Sequence, residues 1–193
     1  MKRLIYAVLL LILAFGTYFF VDNKLKIAKY NFDANSTIGK VNITSFKDEY
    51  KILYFGYTFC PDICPSTLTI LSSVIDEMGL NDKIKILFVT LDLQRDNEKE
   101  CDEFAKYFYQ NSVCLKMDET ELKRMVKNYN AKYEIVNLQG SAMDYSVAHS
   151  SSVYLFKRNG KFYKEISNLT KDEIKKEILE LTDRKSTRLN SSH

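Results

Sequence analysis

Residues 51–78 read KILYFGYTFCPDICPSTLTILSSVIDEM. The β-prone run 51–57 has the composition of a buried strand. Over 66–78, Leu68, Leu71, Ile75 and Met78 fall on one helical face, and Gly79 follows as a stop signal. Between strand and helix lies Phe59-Cys60-Pro61-Asp62-Ile63-Cys64-Pro65, which holds both of the chain's 2 prolines. Pro65 suits the first turn of a helix, where its missing N–H is no loss. Cys64 then lies beside the free N–H groups and the positive dipole end of that helix, and both favour a thiolate. Cys60 and Cys64 are spaced i, i+4, with Cβ atoms about 5–6 Å apart if the turn is helical. Two sulfurs so placed can share a soft cation or close a disulfide after a small movement. A purely structural bridge across so short a loop would constrain the unfolded chain only weakly. The commoner redox spacing has two intervening residues. The third residue here widens the sulfur spacing and leads away from a rapid dithiol exchanger.

Working outward, strands are expected at 39–46, where Val41 and Ile43 alternate with polar neighbours, and at 83–91 (KIKILFVTL). Helices are expected at 95–109 and at 119–129, the latter with Leu122, Met125 and Val126 inward, and a short strand at 112–117. Residues 151–156 and 161–166 flank Asn159-Gly160, a strong hairpin turn. A last helix over 170–181 opens with Thr170 and has Glu173 three residues on, the pattern of a capping box. This order implies an α/β fold, a mixed sheet flanked by helices, with a hairpin and terminal helix resembling the end of a thioredoxin-like domain.

The 193-residue chain suits one domain with appendages. Its hydrophobic content is 46% and its net charge +3, so a globular fold is expected and nucleic-acid binding has no electrostatic support. Lys2 and Arg3 precede about 18 mostly apolar residues, just enough to cross a bilayer core of about 30 Å. The expected division is a membrane anchor at 1–21, a tether at 22–38, the domain at 39–182 and a non-native tail at 183–193. A cleaved signal peptide is the competing reading of the N-terminus; Ala14-Phe15-Gly16 has suitable small residues, but the apolar run continues to Val21. The positive residues at the start favour an inner-membrane anchor with the domain facing the periplasm, an oxidising compartment. Excluding the tail sets His193 aside and leaves His149 as the domain's one histidine.

The stretch 54–68, YFGYTFCPDICPSTL, closely resembles the signature of the Sco/SenC family of cytochrome c oxidase assembly factors. Residues 90–96 (TLDLQRD) and 144–150 (DYSVAHS) resemble two further segments of that family, the second carrying its metal-binding histidine. The resemblance runs over about 39–181 and implies a thioredoxin-like fold. It also implies copper held by Cys60, Cys64 and His149, and delivery to the binuclear copper site of oxidase subunit II. An upstream copper donor or thiol reductant would be a further partner. Asp92 matches a family aspartate near the site and is not expected to be a ligand, while Leu93 and Gln94 depart from the family's proline and glutamate. Zinc could take the same three ligands with a water. The alternative function is a thiol–disulfide reductase keeping the oxidase copper-site cysteines reduced, which would need the cysteines but not His149. The extra Cys101 and Cys114 are each expected to pack as a small buried hydrophobe rather than to act in redox chemistry, with a second disulfide between them as the alternative.

Overall fold

The computed structural model describes residues 2–140 and 143–183, so residues 184–193 of the presumed tail lie outside it. The elements in order are α1 (Lys2–Tyr30), β1 (Ala34–Ser36), β2 (Gly39–Val41), β3 (Tyr50–Gly56), α2 (Ile63–Glu77), β4 (Ile84–Thr90) and α3 (Glu98–Phe108). They continue with β5 (Ser112–Leu115), α4 (Glu119–Asn128), β6 (Tyr133–Asn137), β7 (Tyr145–His149), β8 (Val153–Phe156), β9 (Phe162–Ile166) and α5 (Lys171–Thr182).

The main sheet has 5 strands in the order β5-β4-β3-β8-β9. β3, β4 and β5 run parallel, whereas β8 is antiparallel to β3 and β9 to β8. β3 and β4 are central, which is why their sequences are continuous apolar runs rather than alternating ones. Ile52, Leu53, Leu87, Phe88 and Leu155 are wholly buried among them. Helix α2 buries Leu68, Leu71, Val74 and Ile75 and packs beside α5. It closes at Gly79, whose φ of +64° is the left-handed geometry that glycine adopts without strain. Asn97 and Asp118 cap α3 and α4, each accepting a bond from the backbone N–H three residues on. Thr170 does occupy the N-cap of α5, but its side chain makes no capping bond, so the expected capping box does not form.

Three expectations need correction. Residues 22–38 are not a slack tether: α1 continues to Tyr30, and β1 pairs with β2 as a hairpin. Tyr30 stacks on Phe162 at 4.2 Å and meets Tyr129 edge-on at 5.1 Å, so the end of α1 is fastened to the domain. Second, Cys101 and Cys114 are both fully buried, as small hydrophobes would be, but they form a disulfide joining α3 to β5. Third, β6 and β7 form a separate two-stranded ribbon in a region with no strand expectation. Between Ile5 and Val21 the described large apolar side chains of α1 are exposed, and a span of 23 residues, Val8–Tyr30, is long and apolar enough to cross a membrane.

Candidate metal centre

Strand pairing brings the two halves of the site to one edge of the sheet. β3 ends at Gly56, and the chain passes through Cys60 into α2. β8 lies antiparallel to β3 with Val153 opposite Tyr54, so the residues just before Val153 project past the same end of β3. His149 closes β7, four residues before Val153, and therefore arrives above the cysteines. The carboxyl ends of parallel strands are where open α/β sheets present their binding loops.

One ligand atom from each of Cys60, Cys64 and His149 lies within 4.8 Å of the other two. His149 Nε2 is 3.5 Å from Cys64 Sγ, and Nδ1 is 2.9 Å from the carbonyl oxygen of Ser150. A carbonyl can only accept, so Nδ1 carries the proton and Nε2 presents its lone pair toward the sulfurs. The rings of Tyr54 and Tyr57 each meet the imidazole edge-on at 6.1 Å. Both cysteines are free thiols. Cys64 is fully buried and Cys60 is 9% exposed, which makes Cys60 the sulfur that solvent or a client meets first.

The two sulfurs are electrostatically unlike. The Cys64 thiol donating to Cys60 holds the Cys60 thiol far below its usual value, and the backbone N–H groups of Cys64 and Asp62 add to the effect. That same bond, followed by burial, pushes Cys64 up and keeps it protonated. The backbone N–H of Cys64 reaches Cys60 Sγ at 3.3 Å, the helix-start donor expected from Pro65, although it serves Cys60 rather than its own sulfur. Two sulfurs and a neutral imidazole nitrogen in this proximity form a donor set that suits copper and would also accept zinc.

The loop holding Cys60 is pinned from β4. Asp96, buried beyond it, accepts from the backbone N–H and hydroxyl of Thr58 and from the hydroxyl of Thr90. Asp92 is buried near the site, and its carboxylate is taken up by Arg95 and the Tyr145 hydroxyl. Gly56 leaves no room for a side chain: a Cβ there would stand 2.7 Å from Phe88 Cε2 and 2.9 Å from Cys64 Sγ. Gly56→Ala is therefore expected to lower stability by about 1–3 kcal/mol, the range for overpacking, and to displace the Cys64 sulfur. Urea unfolding and a metal titration of the variant check both effects; wild-type values in both would show that the cradle is not tight. Sequence reasoning found the three candidate ligands but not Gly56, Arg95 or Tyr145. The last two stood inside segments already singled out, where they looked like an ordinary charged residue and an ordinary aromatic one.

A family model described as SCO1/SenC matches residues 23–183. An SCO2-like protein of Rickettsia prowazekii is 30% identical over 169 residues, covering 86% of this chain and 80% of the relative. An SCO2-like protein of Rickettsia felis is 33% identical over 141 residues, covering 72% of this chain and 67% of the relative. Among solved structures, the chain is similar to Arabidopsis thaliana ScoI with copper bound, at a TM-score of 0.72 and 27% identity, over 82% of this chain and 97% of that one. It is likewise similar to Bradyrhizobium japonicum ScoI with copper bound, at a TM-score of 0.67 and 28% identity, over 78% of this chain and 97% of that one.

Proposed function

The chain belongs to the SCO1/SenC family, and on that premise we propose that it is a copper chaperone that binds the ion through Cys60, Cys64 and His149 and delivers it to the binuclear copper site of cytochrome c oxidase subunit II. The observation that carries this reading is the convergence of two sulfurs and an imidazole nitrogen within 4.8 Å. Copper-bound ScoI proteins of the same fold support the choice of ion. The client follows from the family resemblance. A centre open along one side suits cargo that must leave again: Cys64 holds from within, while Cys60 and the partly exposed His149 face the acceptor.

The second reading, a thiol–disulfide reductase, is favoured by the unlike sulfurs. A Cys60 thiolate can attack one sulfur of a client disulfide, and Cys64 can then displace the reduced client, closing Cys60–Cys64 as the pair gives up two electrons. The two readings share residues and separate on their product. Copper-loaded protein mixed with a reduced copper-receiving domain of subunit II is expected to lose one copper per chain to it, with no change in either thiol count. Thiol loss here matched by thiol gain in an oxidised acceptor, without movement of copper, supports the reductase instead.

Placement at the inner membrane, with the domain in the periplasm, is supported by Lys2 and Arg3 ahead of the apolar span. The buried Cys101–Cys114 disulfide supports it too, since such bonds persist on the oxidising side of a membrane.

A further inference from the structure

The ribbon that carries His149 does not belong to the main sheet: β6 and β7 pair only with each other. Something other than sheet hydrogen bonding must keep the imidazole against the sulfurs. The loop 91–97 between β4 and α3 supplies it. Asp92 Oδ1 accepts from the Tyr145 hydroxyl at 2.7 Å and from the backbone N–H of Arg95 at 3.1 Å. Asp92 Oδ2 accepts from Arg95 Nε, and Arg95 Nη1 donates to the backbone carbonyl of Tyr145 at 3.0 Å. The guanidinium lies over the Tyr145 ring at 3.7 Å and over the Phe59 ring, next to Cys60, at 4.9 Å. Arg95 Nη2 is buried without a hydrogen-bond partner among the described residues. A planar, always-charged fork wedged between two aromatic rings tolerates that orphan donor because stacking and the Asp92 pair hold it. Since Asp96 of the same loop grips Thr58, a single segment brackets the cysteine arm at one end and the histidine arm at the other.

We propose that Arg95 and Tyr145 are positioning residues of the metal centre: with Asp92 they clasp the strand bearing His149 to the loop bearing Cys60 and so set the distance between imidazole and sulfurs. Neither touches the ion; they act through His149. The functional meaning of the clasp rests on the copper-binding reading, but its existence does not. Outer groups that orient a ligand typically contribute about 10–100-fold in metal affinity.

The test uses the full chain in detergent, reduced, as wild type, Arg95→Ala and Tyr145→Phe. In the metal-free state, amide exchange at Ser146–His149 is expected to speed up at least about tenfold in Arg95→Ala and severalfold in Tyr145→Phe, while β3 and β4 amides stay within about twofold. With copper(II), Arg95→Ala is expected to weaken binding by about 10–100-fold and to shift the sulfur-to-copper absorption band. Placed in a His149→Ala background, it should cost less than about twofold, because the ligand it positions is gone. Unchanged exchange at 146–149 in both variants overturns the clasp. An equal loss of affinity in the two backgrounds overturns action through His149. If wild type takes up no copper while exchange still rises, the clasp stands and the copper reading falls. Tyr145→Phe removes one hydroxyl only, so it keeps the test decisive should Arg95→Ala fold poorly.

Discussion

Replacing His149 by alanine is expected to weaken copper(II) binding by more than about 100-fold, beyond the range for losing an outer partner alone, while leaving Cys60–Cys64 disulfide formation unchanged. The imidazole is the single nitrogen in a set otherwise made of sulfur, and copper(II) gains more from it than copper(I), which two thiolates already satisfy. Its Nε2 lies 3.5 Å from Cys64 Sγ and its other nitrogen is occupied by Ser150, so the ring has no second orientation that keeps both partners. Closing the disulfide requires only the two sulfurs, which approach from the turn and first residues of α2. Competition against a chelator, read by absorbance, gives the affinity, and mass measurement after mild oxidation gives the disulfide yield. A loss of less than about threefold would remove His149 from the ligand set.

The second large effect concerns how the reduced, metal-free pair reacts with acid. Hydrogen bonding from the Cys64 thiol, assisted by two backbone N–H groups, brings Cys60 down to about 3. An acid whose value is depressed keeps its charged form until the pH falls to that value, so the Cys60 thiolate persists throughout pH 5–7. Alkylation of Cys60 by a small neutral reagent should therefore change less than about threefold between pH 7 and pH 5. An ordinary thiol, with a value near 8.5, loses about 100-fold over the same interval. The absolute rate at pH 7 will be modest, because nucleophilicity falls with basicity. Cys64, wholly buried and protonated, should be labelled last. Peptide mapping by mass identifies the sulfur; a hundredfold decline at Cys60, or Cys64 labelled first, contradicts the arrangement.

The parts of the fold that could be read from residues are those where burial writes itself into composition. The runs 51–57 and 83–91 are apolar because β3 and β4 are covered on both faces, and Asn159-Gly160 marks the β8–β9 turn because Gly160 must take a φ of +82°. The cysteine motif was legible because sulfur chemistry is tied to spacing. What escaped had weak local signals. In the β6–β7 ribbon only Val147 is buried, so no apolar alternation announces it. Residues 22–30 are mostly polar, and nothing in DNKLKIAKY tells that Tyr30 will find Phe162. Thr170 and Glu173 fit a capping pattern that the structure does not use, since neighbouring packing decides whether such a bond forms. Cys101 meets Cys114 because α3 lies against β5, a tertiary fact without a local trace. The Arg95–Tyr145 pair is legible only once the loop 91–97 and β7 are seen side by side.

The unbroken course of α1 has a mechanical consequence. Beyond Val21 the helix continues for nine residues, roughly 13 Å of rod, to the aromatic socket where Tyr30 seats. If the apolar run of α1 lies in a bilayer, the sulfurs would ride at a set altitude, on a mast rather than a leash, and a client held in the same bilayer would be met by lateral drift in the plane.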